Sequence, residues 1–534
     1  MNPTTWQSAL QSALPKPATD AGILSQGLDT PQVMGLTLCA VAVVAYLLKT
    51  TNSDSKKFPV ANPPKPFDLV GTALREDFER NAGEHIEKGL RLFPGKPFKI
   101  AADFGEATIL PHSWAHDIRN EPKLSFMKVV HQDFHADFPA FKPFASGTSD
   151  DALLQSVARN QLTKHLNKVT MPLSAEANFA LDLTYGAPTV WKEFQLKDTL
   201  LDIIARLSSC VFLGAKLCRN EAWLHITKTY TTNAFLASEE LRMYPIWLRG
   251  IMHRFSPRCR LTLETIVQAR EIVSQVIEER RALTMQGKYT PSNTDAIDWF
   301  EEAAAGRPYD PTLCQMILST AAIHTTTDLA NETLLRLAQH PELVNEVRQE
   351  LIQVLSKDGW KKTSLYNMKL LDACLNESQR LRCAPTWPLA SMMRMATGDV
   401  RLPDGSVLQK GEWTFVSSAG MSDPAFYEDP DKFDPYRFIR LREEPGKENQ
   451  AHLVSTSPYH LGFGHGKHSC PGRFFAANEL KVLLCHVIMK YDFMLPEGYV
   501  PTACKTGYQV QSDPQARILL RARQPEIDID SLFD

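Results

Sequence analysis

The stretch Phe463-Gly-His-Gly-Lys-His-Ser-Cys470-Pro-Gly472 constrains this chain more than any other. It fits F-x-x-G-x-x-x-C-x-G, with Phe463, Gly466, Cys470 and Gly472 at the fixed positions, and reads as a tight loop around one thiol. Gly464 and Gly466 permit positive φ and close backbone approach. Pro471 lacks an N–H, which leaves the peptide N–H groups on either side of it to face the sulfur. Helical periodicity resumes over 474–490, so Cys470 sits near a helix N-terminus, where a thiolate is stabilised. Lys467 and His468 add positive charge. Two plainer readings compete. Cys470 is a small buried hydrophobe, or it joins His465 and His468 in a zinc site. A second ligand cluster at zinc-finger spacing is missing.

Apolar positions at 3.6-residue spacing over 156–168, 264–286, 310–339, 341–355, 364–381 and 474–491 predict a mainly α fold. Strand-like alternation is best over 399–416, where Pro403-Asp-Gly405 and Lys410-Gly411 mark turns. Asp310-Pro311 is a helix start, a capping Asp before a proline at the first helical position. In the middle of the helix it opens lies Ala321-Ala-Ile-His-Thr-Thr326. Ala322 and Thr325 share a face with Leu318 and Leu329. The small Ala leaves room beside a flat partner, and the Thr hydroxyl can bond the carbonyl of Ala321. Farther on, Glu377-Ser-Gln-Arg380 supplies E-x-x-R, and Phe433-Asp-Pro-Tyr-Arg437-Phe438 follows. Alone, such an i,i+3 pair is a solvated helix salt bridge worth about a few tenths of a kcal/mol. A loop that presents a thiolate to a flat partner is what an axial haem ligand needs.

In this order the motifs resemble those of the cytochrome P450 family, the haem-thiolate monooxygenases, over residues 67–520 and most specifically over 310–490. The resemblance implies an α-rich triangular prism with small β-sheets, haem b as cofactor and Cys470 as the axial ligand of its iron. Phe463 and Gly466 would shape the loop. Arg159, in Arg159-Asn-Gln-Leu-Thr163, resembles an arginine that contacts a haem propionate. Lys467 stands where the family usually has Arg, so a propionate contact there would be a point charge rather than a fork. Glu377, Arg380 and Arg437 resemble a buried architectural cluster. Thr325 and His324 fall in the oxygen-activation motif, usually A/G-G-x-D/E-T, with two departures: Ala322 replaces Gly and His324 replaces an acid. Thr325, water and His324 would deliver protons; the other reading of His324 is a polar bridge between helices. Ala321, Ala322 and the segment Ala384, Pro385, Thr386 match regions that line the substrate pocket.

The variant Ala-Ala-Ile-His-Thr-Thr resembles fungal members that oxidise terpenoid and indole-terpenoid intermediates. The expected substrate is therefore an apolar polycycle of secondary metabolism, a terpenoid, meroterpenoid or indole diterpenoid. Oxidation of fatty acids or sterols, a reductase-independent isomerase or dehydratase, and a haem carrier or sensor are the alternatives. Only 64 residues follow Cys470, too few for a flavin domain, so electrons are expected from a separate NADPH–cytochrome P450 reductase, with O2 as co-substrate.

No internal repeat divides the 534 residues, which suits one large catalytic domain over 67–534. A net charge of −3 gives no basic excess for nucleic acid. Ten cysteines without paired spacing suit a reducing compartment. Residues 33–48 form a charge-free apolar run, about 24 Å as a helix at ~1.5 Å per residue, against an ER hydrocarbon core of about 27 Å. Lys49, Lys56, Lys57 and Lys65 follow it, which by the positive-inside rule makes 1–32 lumenal and the catalytic domain cytosolic. Residues 49–66, basic and Pro-rich, should act as an extended spacer. The expected setting is a single-pass protein of the endoplasmic reticulum membrane. Residues 241–255 carry Met243, Ile246, Trp247 and Ile251 between Arg242, Arg249 and Arg254. They dip into a membrane or pack as core, and core is the stronger reading.

Overall fold

The computed structural model describes residues 58–63, 72–289, 294–382 and 390–532. The predicted membrane span 33–48, the tail 1–32 and most of the spacer 49–66 lie outside these, as do Ala384, Pro385 and Thr386. Among the described residues no helix is long and apolar enough to cross a membrane.

The unit Phe58–Asp534 is mainly helical and built around Pro311–Leu337. Asp310 caps this central helix by accepting from the Leu313 N–H at 3.2 Å, with Pro311 at its first position. It packs against Leu196–Leu213, Glu221–Arg242, Pro257–Met285, Lys369–Arg382 and Arg473–Lys490. Within it, the buried Thr327 and Thr333 each donate to the carbonyl four residues back at 2.8 Å. Leu318, Leu329 and Leu334 join Leu480, Leu483 and Val487 of Arg473–Lys490 in the main core.

Several helix limits differ from the periodicity. The segment expected over 156–168 opens with a π-turn, Val157–Leu162, and then runs through Pro172 to Thr184. The segment expected over 364–381 is two helices, Lys362–Asn367 and Lys369–Arg382. The break has a cause: the Glu350 carboxylate accepts from the N–H groups of Leu370 and Leu371 at 2.7 and 3.0 Å, capping a fresh N-terminus. Leu196–Leu213 is buried on nearly every side, so it has little amphipathic signal to read.

A five-stranded sheet runs in the order Phe98–Ala102, Gly105–Leu110, Trp413–Ser417, Ala390–Ala396, Leu124–Ser125. Only the second and third strands pair in parallel. The predicted strand region 399–416 divides into a small hairpin, Val400–Arg401 with Val407–Leu408, and the sheet strand Trp413–Ser417. Residues 58–62 are not a free spacer. Lys99 N–H donates to Pro59 O at 2.7 Å, Ala61 N–H donates to Lys99 O at 2.9 Å, and the Asn62 amide exchanges two bonds with Ala101. The outer strand Phe98–Ala102 leaves backbone groups unpaired on one side, and this segment occupies them. The domain therefore begins at Phe58 rather than at 67.

Residues 241–255 also depart from expectation. Leu241 is buried at the end of its helix, but of the following helix, Ile246–Phe255, only His253 is buried. Ile246, Trp247 and Phe255 are 78, 77 and 70 % exposed. The helix is tethered through polar bonds, Arg249 Nε to Tyr244 O at 2.9 Å and His253 Nε2 accepting from the Ala140 N–H at 3.4 Å, which frees its apolar face from the core.

Candidate functional site

The cysteine loop folds as its glycines require. Gly464 and Gly466 have φ of +68° and +75°. The loop closes on itself through Cys470 N–H to Phe463 O at 2.8 Å and Ser469 N–H to Gly466 O at 2.9 Å. Helix Arg473–Lys490 starts just past Gly472. Burial pushes the Cys470 thiol above its ordinary pKa, opposed by the N–H groups of Gly472 and Arg473 and by the Arg473 guanidinium. The apoprotein thus favours the thiol, and a coordinated metal would draw the proton off. A Cβ added at Gly472, two residues past the sulfur, would meet nothing within 4 Å.

Both imidazoles of the zinc reading are committed elsewhere. His465 binds Thr456 Oγ1 at 3.1 Å and His468 Nε2 donates to Leu124 O at 3.1 Å. Burial lowers both pKa values to about 4.

Lys467 is exposed, with its N–H rather than its ammonium engaged in the fold. His468, half-buried, feels the charges of Arg394, Lys467 and Arg159. Arg159 lies on the π-turn Val157–Leu162, exposed, and its charge also reaches Arg473. Arg394 was not anticipated. It sits in strand Ala390–Ala396, after a register shift between Ser391 and Arg394 that puts Met392 at φ +50°. The guanidinium is buried, and Nη2 has no hydrogen-bond partner among the described residues. Desolvation alone lowers its pKa to about 10. The one sequence signal was a lone arginine inside Ala390-Ser-Met-Met-Arg-Met-Ala396.

On the central helix, Thr325 Oγ1 donates to Ala321 O at 2.7 Å. Both residues are exposed although Ile323, Thr326 and Thr327 between and after them are buried, and Ala322 is half-buried. His324 turns elsewhere. Its Nε2 donates to Lys228 O on Glu221–Arg242 at 3.2 Å, and burial holds its pKa below the ordinary value. The polar bridge between helices is therefore the arrangement found.

Glu377, Arg380 and Arg437 come together in the core. Glu377 accepts from Arg380 Nε and Nη2 at 2.7 and 2.8 Å and from Arg437 Nε at 3.0 Å. The remaining guanidinium hydrogens reach the carbonyls of Met421, Pro430, Glu428, Asp429 and Lys432. Beside the cluster, Gln379 packs so close to Gly462 that a Cβ there would lie 2.2 Å from its amide oxygen. The E-x-x-R helix thus abuts the start of the cysteine loop.

These residues fit a haem. Cys470 offers a sulfur with the N–H groups of Gly472 and Arg473 beside it, Arg394 and Arg159 offer cations for carboxylates, and Ala321 and Thr325 offer a small, uncovered patch of helix.

The family model of cytochrome P450 matches residues 180–519. The cytochrome P450 monooxygenase hepE of Aspergillus oryzae is 43% identical over 497 residues, 91% of this chain and 90% of its own. The cytochrome P450 monooxygenase eqxH of Fusarium heterosporum is 40% identical over 514 residues, 95% and 98% of the two chains. Among solved structures, the haem domain of cytochrome P450DA superposes with a TM-score of 0.66 at 16% identity, covering 88% of this chain and 98% of that one. With the thiol loop, the Glu–Arg–Arg cluster and the threonine of the central helix in place, the chain belongs to the cytochrome P450 family and is a monooxygenase.

Proposed function

We propose that this enzyme is a membrane-anchored haem-thiolate monooxygenase that inserts oxygen from O2 into an apolar polycycle, a terpenoid, meroterpenoid or indole diterpenoid. The reaction class rests on Thr325, a hydroxyl held to Ala321 O on an uncovered stretch of an otherwise buried helix. When bound, haem b supplies an iron whose thiolate ligand favours O–O cleavage and oxygen insertion into an unactivated C–H bond. The chain's residues supply the rest. Cys470 holds the cofactor, with Arg394 and Arg159 placed for its propionates. Thr325 can exchange its bond to Ala321 O for one to water, so it can pass a proton from solvent at its Oγ1. Electrons come from NADPH–cytochrome P450 reductase.

The substrate class rests on the Ala321–Thr326 variant of the motif. Feeding polycyclic terpenoids and fatty acids in parallel to a host carrying this protein and a reductase tests it. Turnover of the fatty acids alone refutes it.

The bond from His324 to Lys228 O assigns the imidazole a role in holding Glu221–Arg242 against the central helix. Thr325→Ala should divert reducing equivalents to peroxide and lower product formed per NADPH. His324→Phe should leave that ratio near wild type. Equal uncoupling in the two variants would make His324 the proton relay after all.

Setting is read from the apolar run of sequence 33–48 and from the exposed face of Ile246–Phe255, with Arg254 and Arg258 near it in sequence. An amphipathic helix with arginines flanking an Ile–Trp–Phe face suits the interface of an anionic bilayer, here the cytosolic leaflet of the endoplasmic reticulum. Removing residues 1–48 should leave part of the protein on microsomes in high salt, and Trp247→Ser with Phe255→Ser should release that part. A truncated chain found wholly in the supernatant would exclude the second contact.

A further inference from the structure

The cysteine loop is held from a second side by residues far away in sequence. Helix Ala115–Ile118 ends in a turn at Arg119 and Asn120. The Lys467 N–H donates to both Asn120 Oδ1 at 2.9 Å and Arg119 O at 3.2 Å. Gly466 lies so near that a Cβ there would fall 2.5 Å from Arg119 Cβ and 2.6 Å from its carbonyl oxygen. The Arg119 guanidinium donates to His116 Nδ1 at 2.9 Å and, at 3.5 Å, to His465 Nε2. His468 completes the contact through Leu124 O. His465, Gly466, Lys467 and His468 are thus all gripped by residues 116–124.

The geometry points to Asn120 as a positioning residue for the Cys470 sulfur, with the Arg119 carbonyl as the other half of the same clamp. The inference rests on Cys470 being the haem ligand. Two glycines at positive φ give the loop more freedom in the unfolded chain than other residues would, so bonds from outside add to those that close it. Its internal bonds, Ser469 N–H to Gly466 O and Cys470 N–H to Phe463 O, hold the carbonyl side of the Gly466–Lys467 peptide and leave the Lys467 N–H to partners outside the loop. That peptide is three residues before the sulfur, so a shift in it tilts the Cys470 Cα–Cβ bond. Asn120 is exposed and its side chain makes no other hydrogen bond among the described residues, so its amide is not spent on the core. A surface residue whose one bond ends on the ligand loop acts on the ligand, not on global stability.

The test uses the full-length holoprotein. The rate at which the red-shifted Soret band of the carbon-monoxide-bound ferrous form converts to the blue-shifted band of a protonated or released sulfur is followed in mild urea. Asn120→Ala should convert about fivefold faster, the ordinary worth of one neutral hydrogen bond. Asn120→Asp keeps an oxygen acceptor for the Lys467 N–H and should convert at the wild-type rate. Helix melting followed by circular dichroism should be the same in all three proteins, a readout that a merely structural role would shift. An Asn120→Ala rate equal to wild type overturns the proposal, as does an Asn120→Asp rate as fast as that of Asn120→Ala. Should the wild-type protein, like Cys470→Ala, show no red-shifted band, the ligand assignment itself fails and the clamp with it.

Discussion

Cys470→Ala should abolish the red-shifted Soret band of the carbon-monoxide-bound ferrous protein and, with it, NADPH- and O2-dependent product formation. The loss should be complete, because among the described residues no second cysteine sulfur is placed to substitute. Among the described cysteines, Cys210, Cys218, Cys259, Cys314, Cys374 and Cys485 are buried in helix packing, and Cys504 is exposed on a hairpin strand. Burial drives the thiols of Cys374 and Cys485 far above their ordinary pKa, so they stay protonated and unavailable to a metal. Among the described cysteines, only Cys470 combines a burial-raised pKa with the N–H groups of Gly472 and Arg473 and with the charge of Arg473, whose guanidinium donates to the Cys470 carbonyl at 2.8 Å. A haem-replete Cys470→Ala protein that keeps the red-shifted band would end the assignment. The variant should otherwise fold, since an alanine satisfies the same φ and the Cys470 N–H keeps its bond to Phe463 O.

Arg380→Ala should cost about 3–5 kcal/mol, because it strands a buried carboxylate beside one remaining cation. A loss of that size is comparable to the whole stability of many domains, so folded, haem-bearing protein should largely disappear. Glu377 accepts three bonds from guanidinium nitrogens and a fourth from the Asp434 N–H at 3.1 Å, with both residues of the E-x-x-R pair fully buried. Arg380 also donates to carbonyls at Met421 and Pro430, tying two loops to the helix. Arg380→Lys should not rescue, since an ammonium cannot make the two-pronged contact and reach those loops together. The measurement is haem content against total protein. An Arg380→Ala variant that is well expressed, haem-replete and merely slow would contradict this account.

What could be read from the sequence was local chemistry; what could not was partner choice. The cysteine loop carries its instructions within ten residues, and its two positive-φ glycines stand where the motif puts them. Asp310-Pro311 starts its helix for the same reason: cap and first turn are neighbours along the chain. Arg394 was silent because its surroundings are assembled from another strand, a register shift and the loop at His468. Asn120 was silent too, as nothing near it in sequence names Lys467 as its partner. The face of Ile246–Phe255 was misjudged because an apolar periodicity states that a face avoids water and leaves open what replaces the water. His324 was legible as a departure but not as a direction, since a helix position does not say which neighbour lies across from it.

Arg394 has a consequence for how this enzyme is made. A base whose proton affinity is lowered by folding carries its full penalty at every pH below its folded value, so near neutrality Arg394 stays charged in the interior, with Nη1 donating to Met393 O at 2.7 Å and Nη2 without a partner among the described residues. An anionic carboxylate laid against Nη2 would remove that penalty, so binding of a cofactor that carries one would stabilise the fold by mass action. A cell's haem supply would then set how much of the chain survives its proteases, independent of how fast the chain is synthesised.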